Sequence, residues 1–299
     1  MELRHLRYLL AVADHGNFTR AAEALHVSQP TLSQQIKQLE REVGATLLDR
    51  SGRTVRLTDA GEAYARHGRL AIQGIDAAQR AVHDVQDLTR GHLRIAMTPT
   101  ITAYLIGPLV RQFHAQHPGV TLTVIETTQD LIEADLLADR IDLGIAFAGQ
   151  HTAGVSASAL FTETLSLVVG TTHNHYPNVE TFAIEELSAQ PLALLSREFA
   201  TRNYIDTYFA AHGITPRIVI EANSISALLE FVRLGTLATV LPDAITQAQT
   251  GLHPILPDPP LPSREVVLLH RSAGYQSAAA RAFSTIAAQY SPQSEPRLP

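Results

Sequence analysis

The residues best suited to chemistry are amides, hydroxyls and one ammonium group, concentrated between positions 28 and 38. In a helix that begins at Ser28, the apolar Leu32, Ile36 and Leu39 would form a buried stripe. The polar side chains would then share the outward face: Gln29, Thr31, Ser33, Gln34, Lys37 and Gln38. Glutamine can pair with adenine, the threonine methyl can contact thymine, and hydroxyls can bond phosphates or base edges. The pattern therefore predicts a helix that contacts double-stranded DNA in the major groove.

Three short helices would position this polar face. The first is predicted over Leu3–His15 and ends at Gly16. Thr19 is predicted to cap the second helix and Ser28 the third, whose first turn accepts Pro30 because an N–H there has no helical partner. The succession indicates a helix-turn-helix. The alternative is a solvated polar helix face without a ligand.

A hairpin with a basic edge is predicted after this helix. Residues 47–57 have strand character interrupted by Ser51 and Gly52, and they carry Arg50, Arg53 and Arg56. Arginines on such a wing suit phosphate contact or entry into the minor groove, although a charged hairpin with no ligand is the alternative. The predicted DNA-contacting residues are Ser28, Gln29, Pro30, Thr31, Ser33, Gln34, Lys37, Arg50 and Arg53.

Composition agrees with a two-domain globular protein. The chain has 299 residues, 45% of them hydrophobic and 17% charged. The net charge of the chain is −6, but residues 1–58 hold eight basic and six acidic side chains. The N-terminal segment therefore has a net positive charge, unlike the rest of the chain. Cysteine is absent, the N-terminus lacks an apolar signal core, and no apolar run could span a membrane. These features predict a cytoplasmic protein without membrane contact.

The histidines and local motifs of the chain do not predict metal binding or catalysis. His114 and His117, and His173 and His175, have suggestive spacing, but no carboxylate or thiol completes a ligand set. Phosphate-binding, nucleophile-elbow and dinucleotide motifs do not occur in the chain. We therefore expect no metal, no cofactor and no enzymatic activity.

A long helix is predicted from Thr58 to Leu88, because this segment lacks proline and repeats apolar residues every three or four positions. The stripe includes Tyr64, His67 and Ala71. A narrow apolar stripe of this length should pair with another helix. If that helix belongs to a second copy of the chain, two reading heads would address two DNA half-sites. Packing against the second domain is the alternative.

The second domain alternates strands and helices, which indicates a parallel α/β architecture. Strands are predicted at residues 93–97, 120–125 and 143–147, and helices at 103–114 and 130–138. The proline-rich stretch 254–262 is predicted to be a loop, and the tail 291–299 to be disordered.

Three strand-to-helix turns in this domain are rich in hydroxyl and amide groups. Free N–H groups at helix starts, together with hydroxyl donors, could bind a small anion. Ordinary helix capping explains any one of these turns equally well, and Phe147 is either an apolar wall of the site or core. The candidate effector-binding residues are Thr98, Thr100, Phe147, Ser196, Thr201, Arg202, Asn223 and Ser224.

The N-terminal pattern resembles the winged helix of LysR-type transcriptional regulators. The marks are Phe18, Ala21-Ala22, Leu25, Val27-Ser28-Gln29-Pro30, Ser33, Ile36, Leu39-Glu40, Gly44, Leu47, Arg50, Leu57-Thr58 and Gly61. Leu48 and Thr31 depart from the usual pattern. The resemblance covers the whole chain. It implies an N-terminal all-α winged helix-turn-helix with a long linker helix, and a C-terminal α/β two-lobed effector domain like the type 2 periplasmic-binding proteins.

The domain boundaries that follow from the resemblance are 1–58 for the DNA-binding domain, 59–90 for the linker helix, 91–290 for the effector domain and 291–299 for the tail. Lobe one would comprise 91–162 and 268–290, and lobe two 163–267. The implied partners are DNA, a second copy through the linker helix, a tetramer and RNA polymerase.

Longer strings, including Phe199-Ala200-Thr201-Arg202 and Ile220–Ala227, resemble family members that control cyanate operons. The resemblance thus implies cyanate, or a similarly small anion, as inducer. A family member that serves another pathway, such as one of aromatic or carboxylic acids, is the alternative. A solute-binding or enzymatic α/β protein is the more remote one.

Overall fold

The computed structural model describes residues 2–52, 54–84, 91–171, 173 and 180–290. They form two compact units, Met1–Arg80 and Ala81–Pro299. Arg53, the end of the predicted linker helix at 85–90 and the predicted tail lie outside the described residues.

The first unit is a helical domain with a small hairpin. Its elements are α1 (Leu3–His15), α2 (Phe18–Ala24), α3 (Gln29–Val43), β1 (Leu48–Asp49), β2 (Arg56–Leu57) and α4 (Asp59–Asp84), which continues into the second unit. Gly16 ends α1 with φ 59°, a left-handed conformation that glycine adopts without strain. The cap of α2 is Asn17 and not Thr19, because the Asn17 side chain accepts from the N–H groups of Thr19 and Arg20.

Apolar packing fixes α3 and the start of α4. Leu32, Ile36 and Leu39 are fully buried, as the spacing predicts. Ala65 of α4 packs with Leu6 and Leu10 of α1. The opposite side of α4 leaves Leu70 and Ile75 57% and 39% exposed, and His67 and Ala71 are exposed as well.

The second unit consists of two α/β lobes. Lobe one contains β3 (Gly91–Met97), α5 (Pro99–Gln116), β4 (Val120–Glu126), α6 (Gln129–Leu137), β5 (Leu143–Phe147), β6 (Val155–Glu163), β13 (Arg264–Arg271) and α10 (Ala278–Gln289). Lobe two contains β7 (Leu165–Gly170), β8 (Thr181–Ala183), β9 (Pro191–Leu195), α7 (Ala200–Ala211), β10 (Arg217–Ala222), α8 (Ile225–Leu234), β11 (Thr239–Pro242), α9 (Asp243–Ala248) and β12 (Leu252–Asp258).

The sheets are mixed and not wholly parallel. In lobe one the strand order is β4-β3-β5-β13-β6, with β3 parallel to β4 and β5, and with β13 antiparallel to β5 and β6. In lobe two, β11-β7-β12-β8 form one sheet and β9 pairs with β10 in parallel. The parallel strands bring the beginnings of α5 and α7 to the carboxyl ends of β3 and β9, where ligand sites form in α/β folds.

The two connections between lobes differ from the predicted lobe limits. Glu163 is the last residue of β6 and pairs in register with Arg264, the first residue of β13. Both therefore belong to the sheet of lobe one, and so do residues 264–267, which were predicted in lobe two. The second connection is earlier than predicted: it comprises residues 259–263, between the end of β12 in lobe two and the beginning of β13 in lobe one.

The predicted loop at 254–262 is wrong over its first half. Residues 252–258 form β12, which pairs with both β7 and β8. Proline has φ near −65°, which an extended segment tolerates, and the N–H of Leu256 still donates to the carbonyl of Glu180. The pairing partners, not the local composition, decide the structure of this segment.

Gly144→Ala should destabilise the effector domain by about 1–3 kcal/mol through overpacking. A Cβ at Gly144 would lie 2.4 Å from Cγ2 of Ile132 and 3.4 Å from Cβ of Leu269. The matched control is Gly107→Ala in α5, where a Cβ would meet no atom within 4 Å apart from the chain neighbours. Because Pro108 follows and disfavours a helical residue with a Cβ, no stabilisation is expected, but the loss should be smaller than at Gly144. Urea unfolding measures both, and equal effects would contradict the packing.

Candidate DNA interface and effector site

The outward face of α3 is accessible as the sequence predicts. Gln29, Thr31, Gln34 and Lys37 are exposed, and Ser33 is half-buried. Exposed Ser28 caps the helix: its Oγ accepts from the N–H of Thr31 at 3.2 Å and lies 2.7 Å from the Thr31 hydroxyl. Pro30 is also exposed and occupies the first turn. The face thus offers two free amides and an ammonium group, while two of its hydroxyls already bond to each other.

Glu40, which sequence reasoning did not single out as functional, ties α3 to the hairpin. One carboxylate oxygen accepts from the backbone N–H groups of Leu47 and Leu48 at 2.9 and 3.1 Å. The other accepts from Nη2 of Arg50 at 2.9 Å. The Arg50 guanidinium also lies 5.2 Å from the ring centre of Phe18, within cation–π range. These two contacts therefore restrict the conformation of the Arg50 side chain.

Two threonine hydroxyls meet where the lobes approach each other, and a third threonine, Thr98, directly precedes one of the two helices; the three form the threonine cluster. The hydroxyls of Thr100, at the beginning of α5, and Thr201, at the beginning of α7, lie 3.2 Å apart. Thr98 is buried, and its hydroxyl has no hydrogen-bond partner among the described residues. Helix starts carry partial positive charge, so this point combines hydroxyl donors with a field that favours an anion.

A buried ion pair adjoins the threonines. Arg264 is 8% exposed and Glu163 5%. Nε of Arg264 donates to a Glu163 oxygen at 2.5 Å, and Nη1 donates to the Thr201 hydroxyl at 3.1 Å. The Tyr104 hydroxyl donates to the other Glu163 oxygen at 2.6 Å. Burial, and then the charge of Glu163, raise the pKa of Tyr104, so this hydroxyl stays protonated as a donor.

Aromatic rings enclose the guanidinium of this pair. It lies 3.7 Å from the ring centre of Phe147, in lobe one, and 5.4 Å from that of Tyr204, in lobe two. Arg264, Phe147 and Tyr204 also line a cavity of about 410 Å³, whose other lining side chains include the carboxylates of Asp130 and Glu198. Phe147 is only 6% exposed, so it belongs to the hydrophobic core and also forms part of the wall of this cavity.

Four predicted effector residues do not join this cluster. Arg202 is wholly buried and bonds to Asp206, Glu221 and the carbonyl of Leu195, so it holds α7 to its sheet and does not present charge to a ligand. The hydroxyl of Ser196 donates to Glu198. Asn223 is exposed, and Ser224 caps α8 by accepting from the N–H of Ala227. The contact of Ser224 is thus the ordinary helix capping that we gave as the alternative to ligand binding.

Sequence reasoning missed Glu163 and Arg264 as functional residues. They are 101 positions apart, and nothing local marks either one. Their position in the sequence could have indicated them. Each is a charged residue beside a predicted connection between the lobes, and a charge that is buried there needs a partner of opposite charge.

No metal site or membrane span appears in the part of the chain that the structure describes. Its His, Asp and Glu side chains form no group of three that could hold a metal ion. None of its helices has the length and apolar character needed to cross a bilayer.

Two family profiles match this chain. One, described as a bacterial regulatory helix-turn-helix protein of the lysR family, matches residues 3–62. The other, described as the LysR substrate binding domain, matches residues 86–291, more than half of the chain. The chain belongs to the LysR family. Its members are DNA-binding transcriptional regulators and not enzymes.

Several family members are similar along most of their length. The regulator AlsR of Bacillus subtilis (strain 168) is 36% identical, with 82% of this chain and 81% of AlsR covered. The nitrogen assimilation regulatory protein nac of Escherichia coli (strain K12) is 32% identical, with 84% and 81% covered. Relatives of this chain serve pathways as different as nitrogen assimilation, the peroxide response and carbon fixation, so they do not identify an effector.

Solved structures agree with the two-part fold. A full-length OxyR variant from Pseudomonas aeruginosa matches with a TM-score of 0.69 and 26% identity, covering 96% of this chain and 93% of that one. Full-length CbnR in complex with its target DNA matches with a TM-score of 0.66 and 25% identity, covering 96% and 99%. The helix-turn-helix and the two-lobed effector domain predicted from the sequence are thus confirmed as the fold.

Glu40→Ala should lower the free energy of unfolding of the first unit by about 1–3 kcal/mol, because two backbone N–H groups lose their acceptor. Glu40→Gln keeps an oxygen acceptor for the N–H groups of Leu47 and Leu48 and loses only the charge opposite Arg50. It should recover most of the loss. Urea unfolding of the full chain, followed by far-UV circular dichroism, measures both. Equal losses in the two variants would contradict the role given to the backbone bonds.

Proposed function

We propose that this chain is a cytoplasmic transcription factor that binds double-stranded DNA through α3 and the β1–β2 wing. The observation that carries the proposal is the exposed face of α3, with Gln29, Gln34 and Lys37 on one side of a buried apolar stripe. The wing would place Arg50 against phosphate, held there by Glu40. The matched CbnR structure, described as a complex with target DNA, supports the same mode here.

The DNA-binding form is proposed to be a dimer through α4, and two such dimers to form a tetramer. The support is the exposed apolar side of α4, which includes Leu70 and Ile75 in a helix of 26 residues. Two copies would address the two half-sites of an operator. The regulated step is proposed to be contact with RNA polymerase at the promoter.

The effector is proposed to be a small anion, with cyanate as a candidate, bound between the lobes at the contact of Thr100 with Thr201 and beside Thr98. The hydroxyls and the beginning of α5 support this choice. A larger carboxylic acid is the second candidate, because the neighbouring cavity of about 410 Å³ has room for one beside Phe147 and Tyr204. Either ligand would act by favouring one arrangement of the lobes over another.

Gln29→Ala and Ser33→Ala should each weaken binding to the specific operator by about 1–3 kcal/mol if the side chain contacts a base. Lys37→Ala should weaken specific and non-specific DNA alike and reduce the slope of log affinity against log salt by about one. Fluorescence anisotropy with operator and scrambled duplexes separates the two effects. Unchanged operator affinity in both of the first two variants would overturn the assigned reading face.

Thr100→Val should abolish the response to the effector and leave DNA affinity intact, because it removes one of the two hydroxyls at the lobe contact. Thr246→Val is the matched control, because that hydroxyl bonds to the carbonyl of Asp243 and Thr246 does not line the cavity. Thermal shift with cyanate, azide, formate and benzoate measures binding, since a ligand of the native state raises the apparent stability. A full response in Thr100→Val would exclude this site.

A further inference from the structure

The Glu163–Arg264 ion pair occupies the position at which an anion would meet positive charge. Arg264 is the guanidinium that lines the lobe cavity and also bonds to the threonine cluster through Nη1. In the structure its charge is already neutralised by Glu163, whose oxygen lies 2.5 Å from both Nε and Nη2. An incoming anion would therefore compete with a carboxylate that belongs to the chain itself.

One buried polar group of the proposed anion site has no partner. Nη2 of Arg264 lies 2.5 Å from the Glu163 oxygen and is paired with it, whereas the hydroxyl of Thr98, which precedes α5, is buried and has no hydrogen-bond partner among the described residues. Buried polar atoms without partners are uncommon in native proteins and call for an explanation. A ligand that accepts from the Thr98 hydroxyl would supply one.

We propose that Glu163 is a built-in competitor of the effector: the anion takes its place on Arg264, and Glu163 turns to Tyr104 alone. This inference rests on the proposed anion site and adds the group that binds the charge. The exchange is one anionic partner for another, so the buried guanidinium is never left unpaired. Glu163 keeps an acceptor role throughout, because the Tyr104 hydroxyl already donates to its other oxygen.

The location of the pair links this exchange to the lobes. Glu163 ends the strand before the first lobe connection, and Arg264 begins the strand after the second. Arg264 also contacts Phe147 of lobe one and Tyr204 of lobe two. Releasing Glu163 from Arg264 would loosen the two connections from each other at the point where lobe two joins lobe one. The effector's affinity is thereby coupled to lobe arrangement.

The experiment measures the dissociation constants of azide, cyanate and formate for the full-length chain by calorimetry, in wild type, Glu163→Gln and Glu133→Gln. Glu163→Gln removes the competing charge and keeps a hydrogen-bonding group between Arg264 and Tyr104. It should bind the anion about tenfold more tightly than wild type. Glu133→Gln is the matched control: Glu133 is a buried carboxylate of lobe one, paired with His151, and its removal should leave anion affinity unchanged.

Two further variants keep the test decisive. Glu163→Asp retains the charge but withdraws the oxygens from Arg264, so a smaller gain in affinity is expected even if Glu163→Gln does not fold. Arg264→Gln should lose anion binding. Equal or weaker anion affinity in the Glu163 variants, with binding retained in wild type, would overturn the competitor role and leave the anion site standing. Absence of anion binding in every variant would overturn the proposed effector class, and this inference with it.

Discussion

The constraint on which the effector domain depends is the burial of one charge pair where both lobe connections meet. A buried guanidinium is tolerated only if it is paired, and removing one partner of such a pair typically costs about 3–5 kcal/mol. Glu163 and Arg264 satisfy that condition across two adjacent strands of lobe one. Thr201 and Tyr204 of lobe two contact the same guanidinium. The position of α7 relative to lobe one is therefore tied to the electrostatics of one residue.

The groups proposed to bind DNA and the groups proposed to bind the effector lie in different units of the chain. The proposed DNA-contacting groups lie on α3 and the wing in the first unit, and the proposed effector cluster lies in the second unit. The exposed amides of α3 can be substituted without changing the core, because the helix is packed through the buried side chains Leu32, Ile36 and Leu39 on its opposite face. The threonine cluster offers less freedom, since all three side chains are buried and the Thr201 hydroxyl bonds to Arg264. A change of effector would require several residues to change together.

Local signals in the sequence predicted the first unit well. The bounds of α1 match, the cap at Ser28 matches, and the buried stripe of α3 is complete. The errors elsewhere share one physical origin, which is contact between distant segments. The pairing of β12 through its prolines depends on β7, far away in the chain. Likewise, Arg202 has the residue type of a ligand group but is paired with Glu221 on β10, a partner that no local pattern reveals, and with Asp206 one turn along α7.

The bonds made by Glu40 also bear on how DNA specificity can be redesigned. This one carboxylate belongs to the recognition helix, yet it ends the backbone ladder of the wing and orients a wing arginine. Helix and hairpin are thus a single transferable module. A chimera that exchanges only the outward residues of α3 keeps the bonds between Glu40 and the wing. A chimera that replaces the whole helix with one lacking Glu40 loses these bonds, so its wing is no longer fixed to α3.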